Sequence, residues 1–297
     1  MKRALLLVLA LASLPARALP IVAEPPHLVR EARVTWRAED ERFGGYSGLE
    51  IAADGTSFLA VSDRGTWARG RLERDGDGRL SGARLDALGP LRGIDGTPLD
   101  GNNVDAEGLA VDSRGRAFVS FEGFHRIRRY DDIAGPARAV PPDPSFARLS
   151  YNSGLEALAV DAGDRLYTIP ERSGALDRPF PVLRLDGLRW TRVGGVPRRG
   201  AFLVTDADFG PDGRLYVLER DFRWLGGFAT RIRSFALGSD DLTDEVELFR
   251  SPFGALDNME GIDVGTATDG SIRVTLLSDD NFFPLQRTEI VEFRLVE

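Results

Sequence analysis

Ten polar residues recur in pairs along the chain: Ser47 with Asp63, Glu107 with Glu122, Glu156 with Glu171, Asp206 with Glu219, and Glu260 with Asp279. All but Ser47 are acids. Like charges brought to one place repel, so such a group must be protonated, paired or bound to a cation. Asparagines accompany the acids. Asn102 and Asn103 precede Glu107, Asn152 precedes Glu156, Asn258 precedes Glu260, and Asn281 follows Asp279. Carboxylates with amide carbonyls are hard oxygen donors, which suit calcium or magnesium better than zinc. The expected cation ligands are Glu107, Glu156, Asp206 and Glu260 with Asn103, Asn152 and Asn258. Glu122 and Glu171 are the expected proton acceptors in a cation-assisted hydrolysis. Arg64, Arg172, Arg220 and Arg287 stand close by. They serve either as ion-pair partners or as clamps for an anionic substrate.

Other chemistries find less support. The chain has no cysteine and only two histidines, His27 and His125, so thiolate and histidine-rich metal sites are excluded. Gly45-Tyr46-Ser47-Gly48-Leu49 has a serine between glycines, but a nucleophile elbow needs glycine where Leu49 stands and a strand-turn-helix setting. His125, following a strand-like segment, reads as a surface residue. Lys2 is the only lysine, so Schiff-base chemistry is excluded from the remainder, and anions must be gripped by guanidinium groups.

The acid pairs occupy fixed places in a phrase repeated five times. Its clearest copies run Glu107-Gly-Leu-Ala-Val-Asp112 to Ala117-Phe-Val-Ser-Phe-Glu122 and Glu156-Ala-Leu-Ala-Val-Asp161 to Leu166-Tyr-Thr-Ile-Pro-Glu171. The others begin at Ser47, Asp206 and Glu260. Each copy is an apolar run, a Gly/Asp turn and a second apolar run, which is a hairpin. Asp54, Asp212 and Asp269 are expected to satisfy the turn amides. Two further strand-like segments follow each hairpin. Glu107 and Glu156 stand about one blade apart, against ~40–50 residues in known propellers. The step from Ser47 to Glu107 is longer, and the excess falls in the Gly/Asp/Asn loop over 93–103.

The pattern predicts an all-β propeller of four-stranded antiparallel blades, five in number, with six as the alternative. The last blade ends one strand short at Glu289 to Leu295. The segment Ala32 to Ala38 is expected to complete it, which avoids an open sheet edge. In such a ring the start of each innermost strand and the end of the second share one face. The ten paired residues should therefore surround one mouth of the channel.

The chain opens with Met1-Lys2-Arg3, an apolar run over 4–14 and Ala16-Arg17-Ala18, which reads as a secretory leader over residues 1–18. The propeller domain is expected over 19–297, exported to the periplasm or secreted, with no membrane span. Formal charge is -8 among 297 residues, which argues against nucleic acid as a partner. A monomer is expected.

Read with their flanks, the repeats resemble the phytase-like family, whose members are commonly labelled esterase-like. The matching stretches are Tyr46-Ser-Gly-Leu49 with Ala60-Val-Ser-Asp-Arg-Gly65, Asp105-Ala-Glu-Gly-Leu109, Asn152-Ser-Gly-Leu-Glu-Ala157 and Asp206-Ala-Asp-Phe209. They continue with Leu218-Glu-Arg-Asp221, Asn258-Met-Glu-Gly-Ile262, Leu277-Ser-Asp-Asp-Asn-Phe282 and Gln286-Arg-Thr288. The resemblance implies a calcium-type ion in an acidic mouth that holds phosphate and activates a water, as in propeller phytases. The mouth is also similar to that of gluconolactonase-type propellers, which polarise a lactone carbonyl with one divalent ion. The expected function is metal-dependent hydrolysis of a small anionic phosphoester or carboxylic ester. The alternatives are a lactonase and a non-catalytic binding propeller with a structural ion.

Overall fold

The computed structural model describes residues 24–149, 154–238 and 241–297. The expected leader and Asn152 lie outside them. Strand β1 (His27–Thr35) precedes the first blade, which holds β2 (Tyr46–Ile51), β3 (Ser57–Ser62), β4 (Thr66–Arg74) and β5 (Leu80–Pro90). The second blade holds β6 (Ala106–Val111), β7 (Ala117–Phe121), β8 (Arg126–Tyr130) and β9 (Ala137–Ala139). The third holds β10 (Ala157–Val160), β11 (Leu166–Ile169), β12 (Phe180–Asp186) and β13 (Arg189–Val196). The fourth holds β14 (Leu203–Phe209), β15 (Leu215–Arg223), β16 (Gly227–Leu237) and β17 (Leu242–Arg250). The fifth holds β18 (Asn258–Thr266), β19 (Ile272–Asp279) and β20 (Glu289–Val296), and β1 pairs antiparallel with β20 as its outer strand. The chain is a five-bladed β-propeller, not a six-bladed one.

Each repeated phrase forms the inner hairpin of a blade, as its alternation requires. The turns need a left-handed residue, supplied by Gly55, Gly115, Gly213 and Gly270, and by Asp164 in the third blade. Aspartate is among the few residues that tolerate that region. Asp54, Asp212 and Asp269 accept the expected turn amides, from Thr56, Arg214 and Ser271.

The core lies between the blades. Among the described residues five buried apolar clusters occur, one at each blade-to-blade interface. At the interface of the fifth and first blades, for example, Trp36, Tyr46 and Phe58 pack on Leu277 and Ile290. The inner strands approach so closely that a side chain has no room at some positions. A Cβ at Gly108 would lie 2.4 Å from the carbonyl oxygen of Glu156, and one at Gly48 2.7 Å from the Leu109 side chain. That is why glycine follows the ring residue in those phrases.

The closing strand begins and ends earlier than the expected segment Ala32 to Ala38. It bulges between Arg30 and Ala32, which breaks its alternation and hides its first half. Trp36 lies beyond it, in an aromatic cluster with Phe43, Tyr46 and Phe58 at 4.7–4.9 Å between ring centres.

Candidate functional site: an acidic mouth

Strand register decides which side chains ring the mouth. Each inner strand pairs with the second strand so that Gly45, Asp105, Gly154, Leu203 and Asn258 stand beside Asp63, Glu122, Glu171, Arg220 and Asp279. Two residues further along the inner strand comes the ring position, occupied by Ser47, Glu107, Glu156, Thr205 and Glu260. In four blades the pairing slips at this point, which turns the residue out of the ladder. The fourth blade therefore departs from the expected ring by one residue. Thr205 and Arg220 take the places assigned to Asp206 and Glu219. A slip of one residue moves a side chain to the other face of a strand.

The two displaced acids have other partners. Asp206 points into the gap between inner strands, where its carboxylate accepts the amides of Ala207 and Ile262 at 2.9 Å and that of Leu158. Glu219 is buried between Arg231 and Arg233, each at 2.7 Å, with all three side chains at most 1 % exposed. Removing one partner strands the other charges away from water. Glu219→Ala is expected to cost about 3–5 kcal/mol in urea unfolding. A loss under about 1 kcal/mol would show that the two arginines need no buried counter-ion.

At the mouth itself, Asp105, Glu107 and Glu122 bring one carboxylate oxygen each within 4.8 Å of one another. Asp105 was not among the expected ligands. It starts the second blade two residues before Glu107. Glu156 and Glu260 stand near enough to raise the proton affinity of Glu107. Burial, then Glu156, Glu260, Asp105 and Glu122, push Glu107 well above the usual carboxylate range. Burial, then Glu171, Glu260 and Glu122, do the same to Glu156. Burial and Asp105 raise Glu122 to about 7. Burial, Asp105 and Glu260 raise Asp63 to about 6, and burial with Glu260 raises Asp279 to about 8.

Arg220 is the cation that faces this ring. It pairs with Glu260, donates to the Asn258 amide oxygen at 2.5 Å, and lies 3.8 Å from Glu171. Asn258 also donates to Glu260 at 2.8 Å and to Asp279 at 3.2 Å. Arg172 donates to Glu171 at 3.1 Å. Arg64 lies over the Phe282 ring, 3.2 Å from its centre, beside Asp63. Arg287 is exposed, and its backbone amide donates to Asp257. Asn103 lies in a 3-10 turn over Gly101–Asn103, just before Asp105, with its carbonyl accepting from Arg126 at 2.6 Å.

A family model described as "Phytase-like: Esterase-like activity of phytase" matches residues 41–282. The chain belongs to the phytase-like family. Solved structures of similar fold include an aldose sugar dehydrogenase from Streptomyces coelicolor in its PQQ-bound form. That likeness has TM-score 0.50 and 13% identity, over 92% of this chain and 99% of that one. A gluconolactonase from Xanthomonas campestris matches at TM-score 0.46 and 13% identity, over 84% and 72% of the two chains. A virginiamycin B lyase from Staphylococcus aureus matches at TM-score 0.45 and 14% identity, over 91% and 74%. No curated protein matches the sequence. Among the described residues of this phytase-like chain, no helix is long and apolar enough to cross a membrane.

Deeper in the phytase-like channel a second set of acids ties the blades together. Glu50 accepts the Val111 amide at 3.0 Å, Asp208 that of Val264 at 2.7 Å, and Asp263 that of Ile51 at 2.7 Å. Each bond joins one inner strand to its neighbour and occupies an amide that faces the channel. Burial raises Asp208 to about 7 and lifts Glu50 and Asp263 above their ordinary range.

These raised values fix a sign. A carboxyl group that holds its proton more tightly folded than unfolded favours the folded state at low pH. That contribution is complete below the unfolded value near 4 and is lost as pH rises through the folded values. For Asp63, Glu122, Asp208 and Asp279 the window runs from about 4 to about 8. The cation-free protein is therefore expected to melt at a lower temperature at pH 8 than at pH 5. A melting temperature that climbs over that interval would contradict the buried acid cluster.

Proposed function

We propose that this phytase-like propeller is an exported hydrolase of phosphoesters or carboxylic esters that works with a calcium-type cation. The observation that carries the reading is the convergence of Asp105, Glu107 and Glu122. The three offer only oxygen donors, and they cannot all ionise together without a nearby cation. That donor set fits calcium or magnesium, and its acids come from the start of one blade's inner strand and the end of its second strand. Bound there, the cation would polarise the substrate oxygen and lower the pKa of a water.

The remaining parts belong to the chain. Glu171, on the neighbouring blade and held by Arg172, would take a proton from the attacking water. Glu156 is within electrostatic reach of both Glu171 and Glu107. Arg220 supplies the positive charge that meets an anionic substrate, while Glu260 and Asn258 hold the guanidinium in place. Arg64 and Arg172 lie further out, where they would orient the rest of a small anionic substrate. The family's description names an esterase-like activity, which agrees with this reading.

The test combines metal content with turnover. Calcium is expected to raise the melting temperature, because a ligand bound only by the folded state stabilises it by mass action. A panel of chromogenic phosphoesters, carboxylic esters and lactones should show cation-dependent turnover. No turnover with calcium, magnesium or manganese would leave a binding propeller with a structural ion.

A further inference from the structure

Among the described residues, the large apolar side chains that stay exposed gather on one face. Phe124 follows β7, and Leu176 follows β11. Phe222, Trp224 and Leu225 crown the hairpin between β15 and β16, and Phe283 and Leu285 follow β19. All seven lie at the junction of a blade's second and third strands, and every such junction opens on the mouth face. Ile94, between β5 and β6, opens there too. Val29, Leu188 and Val296 lie elsewhere. The acidic mouth therefore stands inside an apolar rim. Trp224 is 88% exposed and Leu225 97%, so neither contributes packing to the fold. Apolar groups clustered in this way mark a surface that meets a ligand.

At one place the rim becomes a wall. A cleft of about 450 Å³ runs from Glu171, Arg220 and Asn258 to Phe222 and Phe228. The two phenyl rings stand 5.0 Å apart, and the Arg220 guanidinium is 5.8 Å from the centre of Phe228. One end of the cleft is the charged mouth and the other is aromatic. We infer that the site takes an ester or phosphoester with one apolar arm, alkyl or aryl, lying along Phe222 and Phe228 below the Trp224 hairpin. The polar end of this assignment rests on the hydrolase reading, whereas the apolar end does not. A substrate charged on every side would leave the aromatic wall without a partner.

The four tryptophans make the test direct. Trp36, Trp67 and Trp190 are at most 8% exposed, so acrylamide quenches Trp224 selectively. Methyl-, butyl- and octylphosphonate serve as probes, since they carry the anion and the arm but cannot be hydrolysed. With calcium present, the concentration that protects Trp224 should fall by about fourfold per added methylene. Phe222→Ser should flatten that dependence, and Leu188→Ser on the opposite face should leave it intact. Equal protection by all three probes would overturn the assignment. So would protection only above the micelle concentration of octylphosphonate, or an unaltered dependence in Phe222→Ser. A parallel series of 4-nitrophenyl esters from acetate to hexanoate separates the two readings. Chain-length-dependent protection with no turnover of these esters or of 4-nitrophenyl alkyl phosphates keeps the apolar arm and removes the hydrolase. Turnover that ignores chain length does the reverse.

Discussion

Deleting residues 24–35 is expected to abolish cooperative unfolding. Those residues carry β1, the outer strand of the fifth blade, paired with β20 from His27 opposite Val296 to Thr35 opposite Glu289. Leu28 is buried with Ile232, Val291 and Phe293, while Ala32 and Val34 pack against the cluster of Trp36 and Tyr46. Arg33 donates to Glu289 at 2.9 Å through Nε, and the Glu289 side chain is only 3% exposed. The Arg33 side chain is 36% exposed, so solvent screens the pair, but its loss leaves the Glu289 carboxylate buried without that partner. The lost ladder and apolar burial come in addition, against a total stability of about 5–15 kcal/mol for a typical protein. β20 would also become an open edge, a template for association. Circular dichroism during urea unfolding reads the outcome. A sharp transition at the full-length midpoint would refute closure of the ring by β1.

Glu107→Gln combined with Glu122→Gln is expected to lower kcat for the best ester by about 10³-fold or more. The warrant is that charge developing in a transition state is stabilised by groups set in place beforehand, and single groups of that kind account for about 10²–10³. The same double variant should lose the calcium-induced rise in melting temperature. Its cation-free form should nevertheless melt higher than cation-free wild type, because two acids that burial and neighbouring carboxylates already push towards protonation have become neutral. This opposite movement separates a cation site from an ordinary structural cluster, whose loss lowers stability under both conditions. If turnover persists, or if calcium still stabilises the variant, the cation is held elsewhere. Arg64→Ala should act differently. It contributes binding to ground and transition states alike, so KM rises while kcat is largely kept.

The blades were legible because their determinants are local. An apolar run, an Asp/Gly turn and a second apolar run specify a hairpin wherever they fall, and five copies leave one architecture. Closure by the N-terminal segment followed from the strand missing after Leu295. Its limits did not, because the bulge between Arg30 and Ala32 interrupts the alternation. The mouth was legible in four blades and off by one in the fourth. There the sequence offers Thr205 beside Asp206 and Glu219 beside Arg220, and acid-seeking inspection picks the wrong member of each couple. Only the pairing of Leu203 with Arg220 settles the choice. Glycine after the ring residue is a usable clue, as at Gly48, Gly108 and Gly261, but Asp206 replaces it in the fourth blade. The strand-to-strand role of Glu50, Asp208 and Asp263 had no local signature. It depends on which amide of a neighbouring blade each acid meets.

The ring has a seam, and the seam orders events in time. β1 precedes all five inner hairpins in the sequence, yet its partner β20 follows them all. Four blades can assemble from neighbouring hairpins as they appear, but the fifth waits for residues at the far end. Pairings so distant in sequence are slow to form, because the intervening chain must be gathered before they repay its lost freedom. Until β20 has been made, the nascent propeller is an open arc with a loose end. Such an arc is vulnerable to proteases, and that vulnerability ends when one strand clicks into place.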